Sequence, residues 1–169
     1  MGLHFGEMQL GNVGATVHYE YRAVGDTVNT ATRIEGLNKL LGTRILVSAS
    51  VIEGLQGFII RELGTFLLKG KTQPITVFEL VGTIGEISNM AQNWSQFIVA
   101  FSKALDYFKA KHWQQAVNEF RALQQEYPDD GPTRFYVNYL QNQLSLSLEK
   151  NSNDFAVIID AGNISSFLL

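Results

Sequence analysis

The chain has 169 residues, a hydrophobic fraction of 46% and a formal net charge of −3, which suits one medium globular domain or one domain with a helical extension. It contains no cysteine, so disulfides and thiolate metal sites are excluded, and the acidic balance argues against a broad nucleic-acid-binding surface. No signal peptide opens the chain and no apolar run reaches the roughly 20 residues of a membrane span, so the sequence predicts a cytoplasmic chain without membrane contact.

The first half, residues 2–82, combines short apolar runs with glycines and β-branched residues. The runs are GLHFGEMQLGNVG, RILVSASVI and FIIRELGTFLLKGKTQPITVFELVG. Apolar runs of this length bounded by Gly and Pro are typical of strands. A short helix is expected over about 49–56, with Ser48 or Ser50 as its cap. The first half is therefore predicted to be α+β.

A longer helix is predicted over 27–41, with Asp26 as its N-cap and Gly42 as its C-terminal stop. The prediction rests on apolar residues spaced three to four apart, the pattern of an amphipathic helix. These residues are Val28, Ala31, Ile34, Leu37 and Leu41. The opening turn consists of mediocre helix formers, so helix propensity does not account for its composition.

From about Ser88 onward the sequence is nearly free of glycine and shows helical periodicity. Helices are predicted over about 92–110, 113–126 and 132–147. The tail, 149–169, begins with polar residues and contains one strand-like run, FAVII, but supports no structural assignment.

The middle helices resemble a tetratricopeptide repeat when they are aligned on Tyr107. Other positions of that motif then fall on Ala104, Ala116, Phe120 and Pro128. The match is partial, because Ala100 occupies the leading Trp position and Leu123 the late Ala position. A plain helical hairpin with an aromatic core is an equal alternative. Since one repeat cannot bury its own apolar face, we expect it to pack on the first half or on a second chain.

Asn29 and Arg33 are the candidate ligand-binding residues, because residues four apart lie on one face of a helix. Both lie in the first two turns, where free backbone N–H groups and the helix dipole favour an anion. The planar guanidinium of Arg33 suits a phosphate. The alternative is that Arg33 pairs with Glu35 or Glu20 and that Asn29 only caps the helix.

Several segments of residues 2–82 closely resemble the C-terminal half of the class III nucleotidyl cyclase catalytic domain. GDTVNTATR looks like the signature segment of that family, and LLKGKTQPITVFEL looks like its closing strand pair. GLHFGEMQLGNVGA and GTRILVS occur in the family's order and spacing. The resemblance implies a partial ferredoxin-like domain with a mainly antiparallel sheet.

The resemblance also implies roles for individual residues. Asn29 resembles the asparagine that orients the nucleotide ribose, and Arg33 resembles the arginine that stabilises charge on the α-phosphate. Lys69 resembles the lysine that contacts the leaving pyrophosphate. Gly25 and Asp26 resemble the turn that starts the helix, and we interpret them as architectural.

Arg22 falls on the nucleotide-binding position that reads the purine, where the family usually has Asp or Thr. An arginine side chain offers only hydrogen-bond donors. The resemblance therefore implies ATP or GTP as the substrate without deciding between them.

The metal-binding aspartates of the family, which hold Mg²⁺ or Mn²⁺, have no counterpart in this sequence, because Met1 falls at a middle strand of the domain. Asp129 and Asp130 follow a proline and are predicted to form a cap and turn rather than a metal site. Without two metal ions, neither activation of the ribose hydroxyl nor neutralisation of the triphosphate is available. The chain is thus expected to be inactive alone and to need a second cyclase domain, in a homodimer or on a complementing chain.

The predicted organisation is half a cyclase domain over 1–84, a helical extension over 88–148 and an unassigned tail over 149–169. The combination resembles bacterial and cyanobacterial sensor cyclases, which are often anchored in the membrane through an N-terminal sensor. In such relatives ATP or GTP becomes the cyclic 3′,5′-nucleotide and pyrophosphate. The alternative is a non-catalytic interaction protein, in which the helical extension binds a partner and the cyclase-like half is a relic or a dimerisation surface.

Overall fold

The computed structural model describes residues 1–15, 18–85, 91–150 and 159–161. Its strands are β1 (Gly2–Leu3), β2 (Gln9–Ala15), β3 (His18–Val24), β4 (Leu46–Ser48), β5 (Phe58–Leu67), β6 (Ile75–Thr83) and β7 (Ile159–Asp160). Its helices are α1 (Asp26–Leu41), α2 (Ala49–Ile52), α3 (Ala91–Lys109), α4 (Trp113–Glu126) and α5 (Gly131–Lys150). Within the described ranges, no helix combines the length and hydropathy that a membrane crossing requires.

Five strands form one sheet in the order β1-β4-β6-β5-β7, and β2 and β3 form a separate antiparallel hairpin. In the sheet, β6 pairs antiparallel with both β4 and β5, whereas the outer strands β1 and β7 pair parallel with β4 and β5. The predicted α+β class with a mainly antiparallel sheet is confirmed.

Helix α1 begins one residue earlier than predicted. Gly25 is the N-cap, with φ 149° and ψ 171°, a conformation that residues with a side chain rarely adopt. The prediction of Asp26 as N-cap is therefore wrong: Asp26 is the first helical residue, and its carboxylate is bound to Lys71 instead. The predicted stop is confirmed, because Gly42 adopts the left-handed conformation and its amide donates to the Asn38 carbonyl.

Helix α2 is shorter than the predicted span of 49–56. It ends at Ile52, and Gly54 and Gly57 then carry the chain into β5. Glycine loses more conformational freedom than other residues on entering a helix, which explains the early end. Ser48 occupies the N-cap position, but its side chain makes no capping hydrogen bond.

Helices α3, α4 and α5 match the three predicted helices to within about three residues at each end, the usual uncertainty of helix boundaries. α3 packs on β5, α4 packs between α3 and α5, and α5 also contacts α1. Their apolar residues join those of the sheet in one core. The expectation that the helical segment packs on the first half is thereby confirmed, whereas its likeness to a tetratricopeptide repeat stays a prediction.

An irregularity in β5 connects the sheet to α5. The β5–β6 register shifts between Glu62 and Gly64, and Gly64 has φ 106°. At this point the hydroxyl of Tyr136 donates a hydrogen bond of 2.5 Å to the Leu63 carbonyl. A side chain at position 64 would collide with that hydroxyl. Gly64 is therefore required both by its backbone conformation and by the close approach of α5.

The start of α5 confirms the predicted role of Asp130. Its carboxylate accepts hydrogen bonds from the Thr133 amide at 2.9 Å and the Thr133 hydroxyl at 2.6 Å, as an N-cap does. The same carboxylate accepts a bond of 2.8 Å from Arg61. In the tail, Ile159 and Asp160 pair parallel with Phe66 and Leu67. The rest of the FAVII run lies outside the described residues.

Candidate functional site

The guanidinium of Arg33 lies against the turn between β5 and β6. A Cβ placed on Gly70 would be 3.5 Å from Arg33 Nη2 and 3.9 Å from its Cζ. Gly70 has φ 69°, and the Lys71 amide closes the turn on the Leu68 carbonyl at 2.9 Å. The left-handed turn favours glycine at this position, whereas a Cβ there would make only ordinary van der Waals contact with the guanidinium. The turn and the face of α1 that carries Arg33 form one site.

Lys71 ties this turn to the start of α1 through an ion pair with Asp26. The Lys71 side chain is 13% exposed and that of Asp26 is 81% exposed. The hydrogen bond from Lys71, followed by the charges of Lys71, Arg33 and His4, holds the pKa of Asp26 below its usual range. A negative charge in the first helical turn also suits the helix dipole. The pair fixes where the turn meets the helix.

The other predicted site residues lie on α1, on the turn and on β3, and all of them are exposed. Asn29 is exposed on α1, one turn before the half-buried Arg33. Lys69 is exposed in the turn beside Gly70. Arg22 is exposed on β3, opposite Gly11 in the hairpin. The structure thus brings Arg33 and the turn that carries Lys69 together and places Arg22 on a neighbouring element.

His4 and two serines form a hydrogen-bonded group that sequence reasoning missed. His4 Nδ1 is 2.8 Å from Ser48 Oγ, which is 2.9 Å from Ser50 Oγ. Burial, followed by the charge of Lys71, lowers the pKa of His4, and the charge of Asp26 opposes this. His4 and the serines are more than 40 residues apart, and only the parallel pairing of β1 with β4 brings them together. No local pattern could have revealed the contact.

Lys71 was also missed, although a signal was available. The sequence Lys69-Gly70-Lys71 offers two lysines on a glycine turn, and the resemblance singled out Lys69. Adjacent turn positions point in different directions, so the geometry of Gly70 decides which lysine reaches α1. It selects Lys71.

An open crevice of about 440 Å³ borders the start of α1. It is lined by Glu7, Met8, Gln9, Val24 and Gly25. Its wall is held to the helix by the Thr27 hydroxyl, which donates to the Glu7 carbonyl. A volume in this range suits a small ligand.

The side chains at this site are not suited to hold a metal ion. Among the described residues, no three His, Asp or Glu side chains are grouped closely enough to hold an ion. The Asp130 carboxylate is engaged by Thr133 and Arg61. The site offers the cationic groups of Arg33 and Lys69 and the amide of Asn29, which suit a phosphate ester.

Residues 1–82 match the family described as the adenylate and guanylate cyclase catalytic domain. The chain is 39% identical over 88 residues to adenylate cyclase 1 of Rhizobium meliloti, covering 52% of this chain and 13% of the relative. It is 37% identical over 84 residues to an adenylate cyclase of Anabaena cylindrica, covering 47% of this chain and 17% of the relative. Against the terminal-differentiation-specific adenylate cyclase of Dictyostelium discoideum it is 27% identical over 155 residues, covering 89% and 7%.

The chain thus spans less than a fifth of the length of these three relatives. Among solved structures, the adenylyl cyclase CyaB from P. aeruginosa is similar with a TM-score of 0.41 and 27% identity, over 48% of this chain and 41% of that one. The guanylyl cyclase Cya2 is similar with the same TM-score and 28% identity, over 48% and 41%.

Proposed function

Because residues 1–82 are related to the adenylate and guanylate cyclase catalytic domain, we propose that the chain supplies the phosphate-binding part of a cyclase active site. The reaction forms the cyclic 3′,5′-nucleotide and pyrophosphate from ATP or GTP. The observation that carries the proposal is the packing of the Arg33 guanidinium on the Gly70 turn, beside Lys71 and Lys69. The turn that carries Lys69 and Lys71 packs against Arg33 from a distant segment, and cationic side chains suit a polyphosphate.

In this reaction the ribose 3′-oxygen forms a bond to the α-phosphorus while the bond to the pyrophosphate oxygen breaks. Negative charge develops on the phosphoryl oxygens, so a preorganised cation beside them lowers the barrier. Arg33 has this role in the proposal, Lys69 contacts the leaving pyrophosphate and Asn29 orients the ribose. Lys71 is a positioning residue, because its charge is already used by Asp26.

In the proposal, the purine occupies the crevice at the base of the hairpin. The crevice is lined by Val24 and Gly25, which directly precede α1. A nucleotide whose base lies there can extend its ribose and phosphates along the first two turns of the helix. In the proposal, Arg22, which lies two residues before Val24 on β3, donates hydrogen bonds to the base. The proposal leaves ATP and GTP as alternatives.

The partner in the proposal is a second cyclase domain, which contributes the aspartates for Mg²⁺ or Mn²⁺ and accepts the proton of the 3′-hydroxyl. Exposed apolar side chains near the crevice support such a contact. They include Phe5, Met8, Leu10 and Val24. Exposed apolar clusters on a globular protein commonly mark protein–protein contacts. In this arrangement the chain alone forms no cyclic nucleotide.

The test is complementation. The chain is mixed with a cyclase domain that keeps its metal-binding aspartates but lacks the asparagine and arginine of the signature segment, and cyclic-nucleotide formation is measured from ATP and from GTP. We expect activity in the mixture and a loss of about 10²–10³-fold with Arg33→Ala, the usual effect of removing one transition-state donor.

Arg134→Ala is the matched control, since Arg134 is exposed on α5 in the helical segment. It should leave both the rate and the melting temperature unchanged. An Arg33→Ala mixture as active as the parent would refute the role of Arg33. A mixture that is inactive with the unmodified chain under saturating partner would refute the proposed function itself.

A further inference from the structure

A cleft of about 420 Å³ lies where the helical segment meets the sheet, at a part of the molecule that the proposed function does not use. It is bordered by the end of α1, by β6, by the start of α3 and by the connection between α4 and α5. Its lining comprises Gly42, Glu79, Trp94, Phe97 and residues 126–132. Cavities of this size hold small organic ligands.

The walls of the cleft are aromatic. Trp94 and Phe97 meet edge to face with ring centroids 5.5 Å apart, and the ring of Phe97 lies 4.3 Å from that of Tyr127. These three rings form a continuous apolar surface. Aromatic faces carry negative charge density, so they attract cations as well as apolar groups.

The polar groups of the cleft are acidic. Four carboxylates belong to the lining, those of Glu79, Glu126, Asp129 and Asp130, and the described lining residues include no lysine or arginine. Glu126 and Asp129 are exposed. The inner pair, Glu79 and Asp130, is bound to Arg61, at 2.5 Å and 2.8 Å from its Nη2. Four carboxylates and one guanidinium leave three negative charges around the cleft.

Arg61 lies behind the aromatic rings and holds the inner pair of carboxylates. It is 2% exposed, and its Nη1 is buried without a hydrogen-bond partner in the described part of the chain. Its guanidinium also lies over two of the aromatic walls, 6.0 Å from the Trp94 ring and 5.0 Å from the Phe97 ring. The rings of Trp94 and Phe97 therefore already face one cation on their inner side.

We propose that the cleft binds a small organic cation, an ammonium or guanidinium group on a flat apolar body. The body packs against Trp94, Phe97 and Tyr127, and the charge lies between the outer carboxylates of Glu126 and Asp129. The ligand also touches Gly42, the residue that ends α1.

The test compares three probes of one shape on the full chain: 2-phenylethylammonium, the neutral 2-phenylethanol and the anionic 3-phenylpropionate. Binding is measured by calorimetry and by the fluorescence of Trp94, with Trp113→Phe to remove the second tryptophan. At low ionic strength we expect the cation to bind at least about threefold more tightly than the alcohol, from its ion pairs and its contact with the rings. The anion should bind least.

The variant Glu126→Gln/Asp129→Asn should reduce the preference for the cation at least about threefold, because both residues are exposed and their loss leaves the fold intact. Asp106→Asn is the matched control, an exposed carboxylate on α3 that is not part of the lining. Equal binding of cation and alcohol, tighter binding of the anion, no binding of the cation, or an unchanged preference in the double variant would each overturn the proposal. None of these readouts depends on cyclase activity, so the two proposals fail separately.

Discussion

The apolar side chains at the two ends of the sheet differ in their exposure to solvent. On the side of β5, the large side chains of Phe66, Phe101 and Tyr136 are fully buried where the helical segment packs on the sheet. Near β1 and the hairpin, Phe5 is 73% exposed and Leu10 is 58% exposed. The difference shows that the helical segment packs on β5, whereas large apolar side chains near β1 and the hairpin remain exposed.

The contacts at the two ends differ in kind as well as in extent. The β5 end is held by specific buried polar groups, the Arg61 ion pairs and the hydrogen bond from Tyr136 to the Leu63 carbonyl. Near β1, the described polar contacts are small and partly exposed, such as those of His4 with Ser48 and Ser50. Substitutions at the first end should therefore cost several times more stability than those at the second.

The largest effect is expected from Arg61→Met. The substitution leaves the carboxylates of Glu79 and Asp130 partly buried without their cation, which costs about 3–5 kcal/mol of unfolding free energy. Urea unfolding followed by circular dichroism measures the loss. Arg44→Met, at an exposed arginine, is the control and should stay within about 0.5 kcal/mol of the parent.

A loss below about 1 kcal/mol for Arg61→Met, with the control unchanged, would show that apolar packing alone holds the helical segment to the sheet.

A smaller effect is expected from Tyr136→Phe. The ring keeps its stacking on Phe120 at 4.7 Å, but the Leu63 carbonyl loses its donor, which costs about 1–3 kcal/mol. Burial raises the pKa of Tyr136, so its hydroxyl stays protonated and this difference should not change between pH 6 and 9. Thermal unfolding at several pH values tests both statements, with Tyr107→Phe, at a half-buried tyrosine, as the control. A Tyr136→Phe variant as stable as the parent would contradict the importance of the β5 irregularity for docking α5.

The smallest effect is expected at the β1 end, from the titration of His4. Its pKa is lowered in the folded chain, so protonation favours the unfolded chain. Stability is therefore complete above the ordinary value of 6.5 and decreases as the pH falls below it towards the folded pKa. The charge of Lys71 lowers the pKa of His4, and the charge of Asp26 raises it.

Melting temperatures of the parent and His4→Gln between pH 7.5 and 5 measure this contribution. The parent should lose stability more steeply than His4→Gln as the pH falls below 6.5. Parallel curves for the parent and His4→Gln would show that burial and Lys71 do not act on His4 as described.

Much of the fold could be predicted because it is encoded locally. The apolar spacing predicted α1 and the three helices of the second half, and Gly42 predicted the end of α1. Errors arose where contacts between distant segments override local preferences. Asp26 is a favourable N-cap by residue type, yet it pairs with Lys71 from a distant turn. Helix α2 ends early because the chain must turn into β5.

For the candidate site, the sequence by itself determined the spacing of Asn29 and Arg33 on one helical face, because that spacing depends only on the period of the helix. Tertiary structure alone decided which residues contact one another at the site, since these residues come from segments far apart in the chain. It placed the Gly70 turn against Arg33, selected Lys71 rather than Lys69 for Asp26, and joined His4 to Ser48. Such contacts depend on strand register and turn conformation, which no local pattern specifies.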